Sequence, residues 1–128
     1  MTPAPIVLYV DDNAANVKLM ERILERRPHV GLVVATRGRV ALALAREHRP
    51  SLVLLDLNLP DVPGEEVLRR LRADPLTAGA AVVMISGDAT SEQPARLREL
   101  GATDYITKPF DIERLLDIVD RLGVGPDG

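Results

Sequence analysis

Three short apolar runs restrict this chain more than any other feature: Ile6-Val7-Leu8-Tyr9-Val10, Leu52-Val53-Leu54-Leu55 and Ala81-Val82-Val83-Met84-Ile85. Each is continuous rather than alternating, and β-branched residues are frequent in the first and the third. A strand with one wet face alternates apolar and polar residues; an unbroken run of four or five belongs to a strand covered on both faces, as in a parallel sheet. Leu32-Val33-Val34-Ala35 and Thr103-Asp104-Tyr105-Ile106 are weaker candidates for two more strands.

Helical patterns fill the intervals. From Asn13 to about Arg26, Val17, Met20, Ile23 and Leu24 share one face, and from Arg39 to His48, Val40, Ala41, Leu44 and Ala45 do the same. Gly64, Val67, Leu68 and Leu71 form a third stripe, while Leu97 and Leu100 predict a fourth helix that Gly101 closes. Asp111 reads as the N-cap of the last helix, and Phe110 and Leu115 are spaced as a hydrophobic staple. Ile112, Leu115, Leu116, Val119 and Leu122 line its inner side. Strict alternation of strand and helix predicts an α/β fold, (βα)5, with a five-stranded parallel sheet and helices on both faces. The expectation is one domain over residues 1–128, with a core of about 6–122 and loose ends in the first five residues and from Gly123 onward.

Composition narrows the chemistry. With no cysteine, disulfides, thiolate metal sites and thiol catalysis are excluded. A net charge of −3 gives no electrostatic reason to bind nucleic acid or membrane surfaces. No apolar run approaches the ~20 residues of a membrane span, so a soluble, cytoplasmic protein is expected. Among 16 basic residues the only lysines are Lys18 and Lys108, a hint that an ammonium is wanted at 108.

In open α/β sheets ligands bind outside the carboxyl ends of the strands. Asp11 and Asp12 follow the first strand, Asp56 ends the third, Ser86 ends the fourth and Lys108 follows the fifth. Taken singly, each has a plainer role. Asp11, Asp12 or Asn13 could cap the first helix, Asp56 could stabilise the turn toward Gly64, and Ser86-Gly87-Asp88 could be a turn. Their joint placement argues otherwise. Clustered carboxylates need compensation, which Mg²⁺ supplies, and an aspartate so placed can attack phosphorus to form an acyl phosphate. Lys108 and Ser86 would then stabilise charge on the phosphoryl oxygens.

Four segments carry a resemblance: Val10-Asp11-Asp12-Asn13, Leu54-Leu55-Asp56-Leu57-Asn58-Leu59-Pro60 with Gly64 following, Met84-Ile85-Ser86-Gly87, and Gly101 through Phe110. From about Ile6 to Leu122 the chain resembles the receiver domain of bacterial two-component response regulators, chemotaxis receivers included. The resemblance implies a flavodoxin-like fold of strand order 2-1-3-4-5. It implies that Asp56 is the phosphoacceptor, that Asp12 binds Mg²⁺ directly and Asp11 through water, and that Asn58 offers its backbone carbonyl. Mn²⁺ is expected to substitute. Ser86 corresponds to the switch hydroxyl, Gly87 to the residue that leaves room for the incoming group, Tyr105 to the switch aromatic, and Lys108-Pro109 to a cis peptide beside the phosphoryl lysine. Asn58 and Asp88 border the attacking water and would tune autodephosphorylation. The implied partners are a histidine kinase or phosphotransfer protein and a downstream target at the face of the fourth helix, fifth strand and fifth helix. Solvent-facing candidates there are Arg96, Arg98, Asp104, Glu113 and Asp117. Asp11-Asp12-Asn13 with Asn16, and Leu71-Arg72-Ala73-Asp74-Pro75, are similar to receivers attached to sensor histidine kinases, leaving open a stand-alone receiver or a module of a hybrid kinase.

Three other readings compete. An aspartyl-nucleophile phosphatase would want an acid where Asn58 stands. A flavin or nucleotide carrier would want an amide-rich loop where Asp11 and Asp12 stand. A degenerate receiver acting as an interaction module would lack an acid or the lysine, and none is missing. The expected role is therefore signalling rather than enzymatic.

Overall fold

The computed structural model describes residues 4–87, 93–108 and 111–123. Among these the order is β1 (Ile6–Val10), α1 (Ala14–Leu24), β2 (Gly31–Ala35), α2 (Gly38–His48), β3 (Leu52–Asp56), α3 (Gly64–Ala73), β4 (Ala81–Ser86), α4 (Gln93–Glu99), β5 (Asp104–Thr107) and α5 (Ile112–Leu122). All strand pairs are parallel and the sheet runs β2-β1-β3-β4-β5. This is the doubly wound, flavodoxin-like arrangement expected from the sequence.

Burial explains why the three central runs are continuous. Val7, Tyr9, Leu52, Leu54, Val83 and Ile85 face one layer, where Met20, Ile23 and Leu24 of α1 meet Leu115, Ile118 and Val119 of α5. Their neighbours Leu8, Val10, Val53, Leu55, Val82 and Met84 face the other layer, against Ala41 and Ala45 of α2, Val67, Leu68 and Leu71 of α3, and Leu97 of α4. Successive side chains point to opposite faces, so a two-sided core demands an apolar residue at every position. β2, at the sheet edge, is only half-buried over Gly31–Val34, which is why its signal is weaker.

Several helix assignments need correction. Val40 is 45% exposed: α2 turns Gly38, Ala41 and Ala45 inward instead, and these small residues let it lie close to its neighbours. Ile112, at the first turn of α5, is 37% exposed, whereas Ile118, absent from the expected stripe, is fully buried. Two residues at the limits of the described core, Pro5 and Gly123, are tied to it through their carbonyls. The Pro5 carbonyl accepts from Gly31 N–H at 2.9 Å, and buried Gly123 accepts the Ser51 hydroxyl through its carbonyl at 2.7 Å. Gly101, at φ +110°, closes α4 as expected, with Ala102 N–H donating to Leu97 at 2.9 Å. Asp111 caps α5 by accepting from Glu113 and Arg114 N–H; its staple partner Phe110 lies outside the described residues. No described helix is long and apolar enough to cross a membrane.

The carboxyl end of β3 is fixed by one glycine. Gly64 N–H donates to the Leu57 carbonyl at 3.0 Å, and a Cβ at Gly64 would collide with the Asp56 carbonyl oxygen and stand 2.7 Å from Leu57 Cα. Because those obstacles are backbone, Gly64→Ala is expected to destabilise the protein by about 1–3 kcal/mol through overpacking. A lowered midpoint in urea with an unchanged slope checks this.

Candidate functional site at the carboxyl edge of the sheet

Three strands bring charge to one point. Asp56 is the last residue of β3, Asp11 follows β1 and Lys108 follows β5. The Lys108 ammonium donates to Asp56 Oδ2 at 2.6 Å and to Asp11 Oδ2 at 3.3 Å. Both carboxylates are buried, at 1% exposure for Asp11 and 3% for Asp56. Main-chain bonds hold the strand ends together: Leu57 N–H donates to Ile85 at 3.0 Å, and Lys108 N–H donates to Ser86 at 2.8 Å. Ser86, also buried, therefore sits one strand from Asp56 and beside Lys108 in the β4–β5 register.

The plainer roles are divided among these residues. Asn13 is the N-cap of α1, its side chain accepting from Asn16 N–H at 3.1 Å, so Asp11 and Asp12 are not needed for capping. Asp56 does stabilise its turn, accepting from Asn58 N–H at 2.8 Å, but through Oδ1, while Oδ2 faces the lysine. Asp12 is exposed and lines a cleft of about 460 Å³ with Asn58, Leu59 and Asp61. Among the described residues no hydrogen bond or ion pair reaches its carboxylate.

Sequence reasoning missed one participant. The Tyr9 hydroxyl donates to Asp11 Oδ2 at 2.6 Å within the core, and the Asn16 amide donates to the same oxygen at 3.0 Å. The signal was present: residues two apart in a strand share a face, and a buried tyrosine hydroxyl needs a partner. Tyr105 is half-buried against the layer holding Met84 and Leu97. Gly87 is exposed, and a Cβ there would meet nothing within 4 Å among the described residues. Asp88 and Pro109 lie outside the described residues.

Burial pushes the Asp56 carboxyl above its ordinary pKa, and the nearby Asp11 charge adds to this against the opposing bonds from Lys108 and Asn58. At Asp11 burial also pushes upward, yet bonds from Tyr9, Asn13 and Asn16 with the Lys108 charge outweigh it and hold the group below its usual range. Burial lowers the Lys108 ammonium, but both acids more than restore it and leave it raised. Tyr9 is driven up, first by burial and then by its bond to Asp11. The cluster thus contains two buried carboxylates against one ammonium, with Asp12 adding a third negative charge beside them.

That donor set suits a small hard cation. Every candidate ligand is an oxygen: the Asp11, Asp12 and Asp56 carboxylates and the Asn58 main-chain carbonyl. Among the described residues no ready-made cage of three or more acidic or imidazole ligands exists. Mg²⁺ suits oxygen donors of this kind, since it takes one or two carboxylates and keeps several waters.

With five parallel strands in this order and an acid–lysine cluster at their carboxyl ends, the molecule is a doubly wound α/β domain whose site sits at the sheet edge. The chain belongs to the response regulator receiver domain family, whose model matches residues 7–120. It is 36% identical over 114 residues to the polar-differentiation response regulator DivK of Brucella anthropi, covering 88% of this chain and 91% of that protein. Its structure is similar to the chemotaxis response regulator CheY4 of Vibrio cholerae, with 27% identity, a TM-score of 0.83, and coverage of 92% and 98%. It is equally similar to the receiver domain of a Pseudomonas aeruginosa sensor histidine kinase, solved with a magnesium ion coordinated in its active site cleft. There the identity is 25%, the TM-score 0.83, and coverage 93% and 97%.

Because Asp56 is raised, its ionisation weighs against folding: the penalty grows as the pH rises above the unfolded-state pKa, is complete above the folded-state one, and disappears in acid where both states are protonated. In the presence of a chelator at pH 7, Asp56→Asn is expected to melt higher than wild type, because the amide keeps the side-chain shape and removes the buried charge. The difference should shrink as the pH is lowered from 7 toward 4 and wild-type Asp56 takes up a proton. Melting curves by circular dichroism across that range check both statements.

Proposed function

We propose that this receiver domain accepts a phosphoryl group on Asp56 from a histidine kinase or phosphotransfer protein, in a Mg²⁺-dependent reaction. The observation that carries the reading is the meeting of Asp56, Asp11 and Lys108, with distances of 2.6 and 3.3 Å from the lysine to the two acids. The Asp56 carboxylate attacks phosphorus while the bond from phosphorus to the donor's imidazole nitrogen breaks, and the nitrogen keeps the electron pair. Asp12, Asp56 and the Asn58 carbonyl would hold the cation directly, with Asp11 behind them. When bound, Mg²⁺ neutralises charge on the acids and on the phosphoryl oxygens, and Mn²⁺ is expected to substitute. Lys108 exchanges part of its bond to Asp56 for one to a phosphoryl oxygen, and the Ser86 hydroxyl donates to another. Among the described residues nothing stands within 4 Å of a Cβ at Gly87, which supports room for the group.

On this reading the new charge draws Ser86 inward and lets Tyr105 follow. That biases the face of α4, β5 and α5 toward a downstream protein target. Asp104 supports this as a connected surface: it pairs with Arg98 of α4 at 3.4 Å and with Arg114 of α5 at 3.8 Å. Asn58, and Asp88 in sequence terms, would tune loss of the phosphoryl group to water. The protein is read as a cytoplasmic signalling module of residues 1–128, with self-catalysed phosphotransfer its only chemistry and no direct contact with nucleic acid or membrane.

Labelled acetyl phosphate supplies the test. Label should enter wild type only with Mg²⁺ and not enter Asp56→Asn at all, and chelation should abolish incorporation. Labelling that persists in Asp56→Asn would reassign the acceptor. If neither acetyl phosphate nor a histidine kinase labels the wild type with Mg²⁺ present, the phosphoacceptor reading fails.

A further inference from the structure

The inference drawn here rests on the Mg²⁺-binding reading above and concerns which cation the site accepts. Four donors hold the Asp11 carboxylate. Asn13 N–H reaches Oδ1 at 3.0 Å, whereas Oδ2 receives the Tyr9 hydroxyl at 2.6 Å, the Asn16 amide at 3.0 Å and the Lys108 ammonium at 3.3 Å. A carboxylate oxygen offers about two lone pairs. Oδ2 is therefore filled, and Asp11 keeps at most one acceptor position, on Oδ1. Tyr9 is fully buried and Asp11 nearly so, so neither side chain can relax toward solvent. As held, Asp11 cannot close both of its oxygens around an ion. Asp12 and Asp56 are less committed among the described residues: Asp56 accepts one bond on each oxygen, and Asp12 faces the cleft.

This restriction falls unequally on the two common divalent cations. Ca²⁺ takes 6–8 oxygens and often a bidentate carboxylate, while Mg²⁺ needs six in a tight octahedron and is content with one or two carboxylates and water. Limiting Asp11 removes oxygens that the larger ion would use and that Mg²⁺ does not need. We infer that Tyr9 and Asn16 are positioning residues that act through Asp11 to make the site prefer Mg²⁺ over Ca²⁺. Lys108 contributes to the same oxygen, but it is shared with Asp56.

The test measures dissociation constants for Mg²⁺ and Ca²⁺ separately, by calorimetric titration and by the cation-dependent rise in melting temperature. Wild type, Tyr9→Phe, Asn16→Ala and the double variant are compared. Tyr9→Phe keeps the buried ring, and Asn16→Ala changes a partly exposed helix position, so the two perturb the fold independently. Wild type should favour Mg²⁺. In the double variant the ratio of Ca²⁺ to Mg²⁺ affinity should rise by about tenfold, the low end of what outer-sphere substitutions do to metal sites, with each single variant supplying part. A ratio that stays fixed, including equal losses for both ions, overturns the inference while leaving the functional reading intact. Wild type that binds neither cation overturns the functional reading as well.

Discussion

The Lys108 ammonium holds two buried carboxylates that would otherwise repel each other, and the rest of the site depends on that bridge. A buried charge without a partner costs several kcal/mol, and here two acids share one cation. The shortfall is met by neutral donors drawn from nearby: Tyr9, Asn13 and Asn16 serve Asp11, and Asn58 serves Asp56. The compensation is incomplete, which is why Asp56 remains raised while Asp11 is lowered. One acid is held charged by its donors, and the other carries the unmet cost of burial. Such a division is consistent with the acceptor role proposed for Asp56.

The bridge also places demands on the sheet, because its charges come from the ends of β1, β3 and β5. Side chains alternate across a strand, so a slip of one residue would send Asp11 or Asp56 to the wrong side. Register is pinned by the two-sided core, in which all five residues of β3 are buried. The loop after β3 is anchored at two points as well. Gly64 presses against the Asp56 carbonyl at one end. Nearer the middle, Asp61 accepts from Gly38 N–H at 2.8 Å and Arg39 N–H at 3.1 Å, capping α2 where Arg37 offers no side-chain cap. The cleft beside Asp12 is thereby built on a loop tied to two helices.

Much of this was legible in the residues themselves. The unbroken runs at 6–10, 52–55 and 81–85 could be satisfied only by strands with two dry faces, and the helix caps at Asn13 and Asp111 and the closure at Gly101 follow from local chemistry. Asp11, Asp12, Asp56, Ser86 and Lys108 were recognisable because each stands where a strand must end. The sequence was less informative about helix faces: Val40 and Ile112 have the residue type of a core position but lie where the helix turns away from its neighbours, and Ile118 takes the place inside. Periodicity gives a stripe, not the direction from which the neighbours approach.

What the sequence by itself determined is the order of elements and the set of reactive groups at one edge, since both depend on residue type and spacing along the chain. Which groups touch was decided by the tertiary structure. Lys108 lies 97 residues from Asp11 and 52 from Asp56 in sequence, and only parallel packing of β1, β3 and β5 brings the three within bonding distance. The same packing buries the Tyr9 hydroxyl beside Asp11 and caps α2 with Asp61. Neither bond has a local signal strong enough to specify it, because its strength comes from the low-dielectric, fixed surroundings that exist only once the core has formed.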